Sequence, residues 1–221
     1  MARVENKTFK KKRKKSFDYK SLYDKLFNLY GECTCPLVHN SPFQLLCAVM
    51  LSAQCKDERV NQVTKELFAL APNAEQMAKL DQKKIAQIIH PCGLYENKSK
   101  NLKGIAQKIV DEFDNIVPQT MEELTTLPGI GRKSANVVLG NAFNIPGFPV
   151  DTHVNRVLNK LGAVNSANPQ VIEEEVCINI DDIYWTNFSH LLITFGRNIC
   201  HARSPECESC PLNDICKFHK G

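Results

Sequence analysis

The chain has 221 residues, of which 43% are hydrophobic and 24% charged, so it can bury one compact core or two small ones, and global disorder is excluded. No apolar run approaches the roughly 18 residues that a membrane span needs, and the basic N-terminus lacks the apolar segment of a secretory signal. We therefore predict a protein without a membrane partner in a reducing compartment: the cytoplasm, associated with the nucleoid, in a bacterium, with the nucleus and the mitochondrion left open.

The first segment is a run of six basic residues, Lys10–Lys15. Residues 1–20 carry a net charge of +7, whereas the whole chain carries +4, so the rest is net negative. Blocks of like charge repel and are typical of disordered chain, and basic blocks often contact phosphate. Residues 1–20 are therefore predicted to form a basic tail that either binds such a partner or is merely solvated. Binding of nucleic acid by the remainder would have to come from local geometry.

The rest of the chain has the periodicity of helices. The pairs Ser41-Pro42 and Asn168-Pro169 each place a capping residue before proline and predict helix starts, and Thr120 with Glu123 has the spacing of a capping box. No period-two alternation is sustained, so we predict an all-α protein. Apolar residues at helical spacing form stripes, one of which is Leu102, Ile105, Ile109 and Phe113.

Between two predicted helices lies the segment 127–135, which reads Leu-Pro-Gly-Ile-Gly-Arg-Lys-Ser-Ala. The proline and the first glycine end one helix, and the next begins near Arg132. Gly129 and Gly131 leave backbone N–H groups open at a helix N-terminus, where they can hold a phosphate oxygen without any net positive charge. Ile130 is placed at the tip of the hairpin. The two glycines alone are also compatible with an ordinary helix–turn–helix connection.

The following segment, Asn144–Val150, contains two prolines and one glycine and is predicted to cross between two lobes. The run Val-Asp-Thr-His at 150–153 then opens an amphipathic helix. Asp151 is predicted to be the N-cap of that helix, and a carboxylate fixed in this way can also serve chemistry.

Four of the ten cysteines cluster near the C-terminus with the spacing C-x6-C-x2-C-x5-C. Four thiolates so close in sequence can close a tetrahedral zinc site or hold a cubane iron–sulfur cluster, and this chemistry alone does not choose between them. Either metal would stabilise a C-terminal segment too short to build its own core. The candidate ligands are Cys200, Cys207, Cys210 and Cys216.

The hairpin segment, the Val-Asp-Thr-His run and the cysteine spacing together resemble the endonuclease III family of base-excision DNA glycosylases, over roughly Ser41–Cys216. The resemblance implies an all-α fold in two lobes. Residues 35–145 would form a six-helix barrel with the helix–hairpin–helix, and residues 21–34 with 146–221 a lobe that carries a [4Fe-4S] cluster on the four cysteines.

The function that the resemblance implies is that of a bifunctional DNA glycosylase and AP lyase of base excision repair. Such an enzyme releases oxidised pyrimidines from duplex DNA and cleaves 3′ to the abasic site by β-elimination through a Schiff base. Its partner would be duplex DNA with a damaged pyrimidine or an abasic site, and it would act as a monomer.

Lys133 matches the catalytic lysine of the family. A neutral primary amine can attack the sugar C1′ and expel the base, and Arg132 together with the helix N-terminus would favour the neutral form. Asp151 matches the essential aspartate, whose carboxylate stabilises oxocarbenium-like charge at C1′. Related adenine-mismatch glycosylases usually have a small hydroxyl residue in place of Lys133, so the lysine favours a lyase.

Further residues match DNA contacts of the family. Gln54, in a Leu-Ser-Ala-Gln-x-x-Asp loop, would fill the gap left by the flipped nucleotide, and Leu94 would intrude between bases as a second wedge. The family has Ala-Thr where this chain has Cys55-Lys56. The remaining predicted contacts belong to the hairpin, to the helix after the crossing and to the cysteine loop: Gly129, Ile130, Gly131, His153 and Arg203.

Two other functions are compatible with parts of this pattern. One is a glycosylase for adenine mismatches or another lesion, against which Lys133 argues and which a panel of lesions would test. The other is a non-catalytic DNA-binding module that uses the hairpin and a zinc staple. A mere binder would need neither Lys133 nor Asp151, so covalent trapping on DNA separates it from an enzyme.

Overall fold

The computed structural model describes residues 17–220, and every regular element in that range is a helix, which confirms the all-α prediction. Within the same range no helix combines the length and the hydropathy needed to cross a membrane. In chain order the α-helices are α1 Tyr19–Tyr30, α2 Pro42–Leu51, α3 Asp57–Leu70, α4 Ala74–Lys79, α5 Gln82–Ile89, α6 Tyr95–Glu112, α7 Met121–Leu124, α8 Arg132–Ala142, α9 Thr152–Leu161, α10 Pro169–Asn179, α11 Trp185–Asn198 and α12 Lys217–Lys220.

Side-chain caps fix several helix starts at the predicted positions. Ser41 Oγ accepts a hydrogen bond from Gln44 N at 3.3 Å at the start of α2, and Asn168 caps α10 in the same way. Thr120 Oγ1 accepts from Glu123 N at 3.2 Å and donates to Glu123 Oε2 at 2.8 Å. One such cap contributes about 1 kcal/mol, so these residues determine where the helices begin and where the loops between them lie.

The helices α2 to α8 enclose a first hydrophobic cluster of residues between Leu37 and Leu139. Helix α2 runs through its middle, packed against α3, α6 and α8, and nine of its ten residues are buried. An element that is apolar on every side needs such enclosure, and it holds the end of α2 at Leu51 firmly in place.

A second hydrophobic cluster lies among α1, α9, α10 and α11. Helix α1 packs against α11, and Tyr19 Oη donates to Ala163 O at 2.8 Å, so the beginning of the described chain closes onto its later part. The segment after α11 adds the buried Leu212 and Cys216 to the same cluster. Residues 144–151 have no regular structure and connect the two clusters, as predicted for the crossing.

We keep the division into residues 35–145 and residues 21–34 plus 146–221 as a proposal, which the two clusters support. Residues 1–16 of the predicted basic tail lie outside the described residues. The tail was predicted to extend to residue 20, but Tyr19 and Lys20 belong to α1. The reason is that Asp18 Oδ1 accepts a hydrogen bond from Ser21 N at 2.9 Å and caps the helix there.

Candidate functional site

The hairpin between α7 and α8 has two glycines with different structural requirements. Gly129 has φ +76°, in the left-handed region, and a Cβ there would lie 2.5 Å from Asn101 Nδ2. Gly131 has φ −103°, and a Cβ there would meet nothing within 4 Å. The fold therefore requires glycine at 129, whereas Gly131 leaves an open surface at the N-terminus of α8, where backbone N–H groups can approach an anion.

Ile130 differs from the expectation for the hairpin tip. Its side chain is only 5% exposed and belongs to the first cluster, and its N–H donates to Leu127 O at 3.1 Å. The short turn closed by this bond rotates the side chain inward. A contact of the hairpin with DNA would therefore go through the backbone of residues 129–131 rather than through the buried side chain of Ile130.

Lys133 and Asp151 line the same open cleft, which has a volume of about 280 Å³ and is bordered by residues of both clusters. Lys133 is exposed in the first turn of α8. Asp151 is half-buried at the N-cap of α9, where its Oδ1 accepts hydrogen bonds from His153 N and Val154 N, both at 2.8 Å. Both cap bonds use Oδ1, so Oδ2 stays free of them and the capped carboxylate faces a cleft that also holds an amine.

Two residues of this cleft were given no role by the sequence. His190, in α11, is 7% exposed, and its Nε2 lies 2.9 Å from Asn141 Oδ1. Because an amide oxygen only accepts, Nε2 donates, and Nδ1 is left as an acceptor. Arg197 Nη2 donates to Asp57 Oδ2 at 2.9 Å and thereby links α11 to the start of α3. Asp57 is the last residue of the Leu-Ser-Ala-Gln-x-x-Asp motif, and this motif is the feature of the sequence from which the ion pair could have been predicted.

The two predicted wedge residues share an unusual backbone conformation. Gln54 has φ +54° and Leu94 has φ +49°, so both are non-glycine residues in the left-handed region. Both are exposed, and Leu94 retains 59% of its surface. This conformation costs about 1–2 kcal/mol per residue, and residues held in it cluster at functional sites.

His153 lines a second cavity together with Gln54 and Arg197. Its Nδ1 lies 3.0 Å from Arg156 Nη2, and because a guanidinium only donates, Nδ1 accepts and Nε2 carries the proton. Burial lowers the pKa of His153, as do the nearby Arg156 and Arg197, against the opposing effects of Asp151 and of the Gly196 backbone. The neutral ring can therefore offer one N–H, through Nε2, to an acceptor in this cavity.

The four C-terminal cysteines line one cavity. Cys200 follows α11, and its carbonyl accepts from Arg156 Nε at 2.9 Å, while Leu212 N donates to Cys210 Sγ at 3.4 Å. Burial raises the pKa of Cys200, and the cationic Lys160 and Arg156 oppose it. Burial outweighs these cations, so binding of a metal would have to displace the thiol proton, because the thiolate is the form that binds metal.

Within residues 17–220 no three His, Cys, Asp or Glu side chains lie close enough together to hold a single metal ion. A cubane presents four separate iron atoms, so its thiolates surround a body larger than one ion, and four cysteines around a common cavity fit that requirement. Arg203 is exposed in the loop between Cys200 and Cys207, on the outside of this cavity.

Comparison with known proteins identifies the family. Residues 47–178 match the model of the HhH-GPD superfamily of base excision DNA repair proteins, and residues 200–216 match the iron–sulfur binding domain of endonuclease III. The chain is 48% identical over 192 residues to endonuclease III of Synechocystis sp., which covers 86% of this chain and 88% of the relative. The chain belongs to the endonuclease III family.

Two solved structures of endonuclease III agree with this assignment. A non-covalent endonuclease III–DNA complex matches with a TM-score of 0.87 and 39% identity over 91% of this chain and 94% of that one. A trapped endonuclease III–DNA covalent intermediate matches with a TM-score of 0.87 and 38% identity over 92% and 98% of the two chains. The chain is thus a DNA glycosylase and AP lyase of base excision repair with a [4Fe-4S] cluster, and not a mere binding module.

Proposed function

We propose that this enzyme binds duplex DNA across the cleft between its two clusters, releases oxidised pyrimidines, and uses Lys133 as the nucleophile. The observation that supports this most strongly is that Lys133 and Asp151, at the starts of two different helices, line one cleft. A glycosylase must remove its target nucleotide from the base stack, and this open cleft would receive it.

In the proposed reaction Lys133 Nζ attacks the sugar C1′, the C1′–N bond breaks, and the base leaves with a proton. Opening of the sugar ring and loss of a proton from the attached nitrogen give a Schiff base between Nζ and C1′. The imine acidifies the C2′ proton, so its removal expels the 3′ phosphate oxygen and cuts the strand on that side. Asp151, whose cap bonds hold it at the cleft, would stabilise the positive charge that develops at C1′.

The proposed DNA contacts surround this cleft. Gln54 and Leu94, exposed and held in the left-handed conformation, would fill the gap in the duplex and hold the unpaired partner base. The backbone of Gly129 and Gly131 and the His153 Nε2–H would hold phosphates, as would Arg203. We propose Cys200, Cys207, Cys210 and Cys216 as the cluster ligands. The bound iron–sulfur cluster would cross-link residues 200–216 with one another, and the buried Leu212 and Cys216 pack this segment against the second hydrophobic cluster.

We further propose that the enzyme acts as a monomer on the nucleoid in the bacterial cytoplasm. One chain supplies both Lys133 and Asp151 to the cleft, and the relatives named endonuclease III are bacterial. Sedimentation of the protein with and without DNA would contradict the monomer if two chains bound one lesion.

Borohydride trapping on a thymine glycol duplex tests the proposed function. We expect the native protein to give a covalent adduct and Lys133→Gln to give none, because an amide cannot form a Schiff base. Lys84→Gln, which changes an exposed lysine of α5, is the matched control and should trap like the native protein. An adduct that persists in Lys133→Gln would refute the nucleophile.

A panel of duplexes tests the lesion class with the same proteins. We expect base release from oxidised pyrimidines and none from an adenine opposite 8-oxoguanine. Release of that adenine with no oxidised pyrimidine released would assign the enzyme to mismatched adenine instead.

A further inference from the structure

Lys98 is a buried lysine that belongs neither to the cleft of Lys133 nor to the hairpin. It lies in the first turn of α6, is 4% exposed, and donates hydrogen bonds from Nζ to Leu51 O at 2.9 Å and to Cys92 O at 3.0 Å. It forms no ion pair among the described residues. Burial of an amine carries a large desolvation cost, which the two hydrogen bonds to carbonyl oxygens offset in part.

The two carbonyls that Lys98 binds lie two or three residues before the two wedge residues. Leu51 is the last residue of α2, beyond the helix's own N–H donors, and Gln54 follows three residues later. Cys92 ends the short 3-10 turn His90–Cys92, and Leu94 follows two residues later. One nitrogen atom therefore joins the starting points of two loops, residues 52–56 and residues 93–94, which we call the wedge loops.

The first wedge loop also lies close to the turn that precedes the second. The Cys55 thiol neighbours Cys92, and burial, with that thiol after it, raises the pKa of Cys92. Arg59 Nη1 donates to Pro91 O at 3.3 Å and adds a contact from α3. With their starting points joined, the left-handed conformations at Gln54 and Leu94 have little freedom to relax.

We propose that Lys98 is a positioning residue, which fixes the two wedge loops relative to each other so that Gln54 and Leu94 enter the duplex as one unit. This inference rests on the proposed function, in which those two side chains occupy the space of the flipped nucleotide. A misplacement of about 1 Å at a positioning contact can reduce a rate about a hundredfold. Loss of the Lys98 contacts should therefore reduce most strongly the rate of a reaction in which a stacked base must first be extruded.

The chain offers a matched control on the same helix. Lys103 is half-buried in α6, and its Nζ also donates to two carbonyls, Ala78 O at 3.2 Å and Leu80 O at 2.7 Å. Those carbonyls lie at the end of α4, and neither wedge loop follows them. Lys98→Met and Lys103→Met therefore each remove two hydrogen bonds from an amine to backbone carbonyls. Only Lys98→Met removes bonds that hold the wedge loops.

The experiment compares two single-turnover rates for each variant: base release from a thymine glycol duplex, and strand cleavage at a preformed abasic site in the same duplex. We expect Lys98→Met to reduce the rate of base release about tenfold to a hundredfold more than it reduces the rate of cleavage. We expect Lys103→Met to change both rates by the same factor. A 2-aminopurine base opposite the lesion should show less unstacking with Lys98→Met than with the native protein. Lys98→Arg keeps hydrogen-bond donors at this position, so its ratio of base release to strand cleavage should lie closer to the native value.

Equal loss of both rates in Lys98→Met, with native unstacking of 2-aminopurine, would overturn the positioning role and leave Lys98 a fold-stabilising residue. If Lys98→Met does not fold, Lys98→Gln keeps one donor and is judged by the same ratio. A native protein that releases no base and cleaves no abasic site would instead overturn the proposed function, which these rates report separately.

Discussion

Arg132 donates two parallel hydrogen bonds to Glu173, from Nε to Oε2 at 2.9 Å and from Nη2 to Oε1 at 2.8 Å. Asn136 Nδ2 adds a third bond to Glu173 Oε1 at 3.1 Å, so the hairpin helix α8 is tied to α10. Both Arg132 and Glu173 line a cavity separate from the cleft of Lys133. Arg132, the cation next to Lys133 in sequence, is therefore paired with the Glu173 carboxylate outside the cleft of Lys133.

We predict that Arg132→Met leaves the pH dependence of covalent trapping unchanged, since its charge is already balanced by Glu173. The same change should lower the free energy of unfolding by about 1 kcal/mol, through the two lost hydrogen bonds to a charged group. Trapping across a pH series and urea denaturation measure the two effects. A trapping profile displaced to higher pH in Arg132→Met would show that the Arg132 charge does act on Lys133.

The two roles of Asp151 can be separated by two substitutions. Asparagine is as good an N-cap as aspartate, so Asp151→Asn should retain nearly all the stability and still lose most base release, because the negative charge is gone. Asp151→Ala should lose the activity and also about 1 kcal/mol of stability with the cap. Thermal unfolding and single-turnover base release give the comparison. Native rates in Asp151→Asn would assign the residue to capping alone.

The hairpin glycines should respond differently to alanine. Gly129→Ala forces a side chain into the left-handed region and against Asn101, and we expect it to destabilise the protein by at least about 1 kcal/mol. Gly131→Ala meets open space, so stability should stay within about 0.5 kcal/mol of native. DNA affinity should nevertheless fall in Gly131→Ala if a phosphate approaches this backbone. Native affinity in that variant would remove the hairpin from the proposed DNA contacts.

The features that could be predicted from the sequence are those that neighbouring residues determine. The caps at Ser41, Thr120 and Asp151 depend on residues two or three positions away, and the structure forms each of them. Ile130 could not be placed in this way, because its burial depends on how the whole turn rests on the first cluster.

Lys98 illustrates what the sequence pattern lacks. It lies four residues before Leu102 and so falls on the same face as the predicted apolar stripe, where a lysine is out of place. The pattern could have marked it as unusual. Its partner Leu51 is 47 residues away in the chain, and only the packing of α2 against α6 brings the two together.

A pH dependence of stability follows from His190. Burial lowers its pKa, so the unfolded chain takes up a proton at a higher pH than the native protein does. The stability that the neutral ring provides is present above the unfolded pKa of about 6.5 and is lost as the pH falls through the lowered native pKa. We predict that His190→Gln, which can still donate to Asn141, shows a smaller decrease in unfolding free energy over that range. Urea denaturation at several pH values checks this, and an unchanged slope would exclude His190 as the cause.

The packing of α1 against α11 has a consequence for synthesis on the ribosome. The first cluster contains residues 37–139 and can close as soon as they emerge. Leu22 and Leu26 of α1 must wait for partners that begin near Phe148, a delay on the order of ten seconds at about 5–20 residues per second. During that interval α1 exposes its apolar face while the first cluster forms beside it. We expect a chaperone that binds nascent chains to contact α1 before this helix docks.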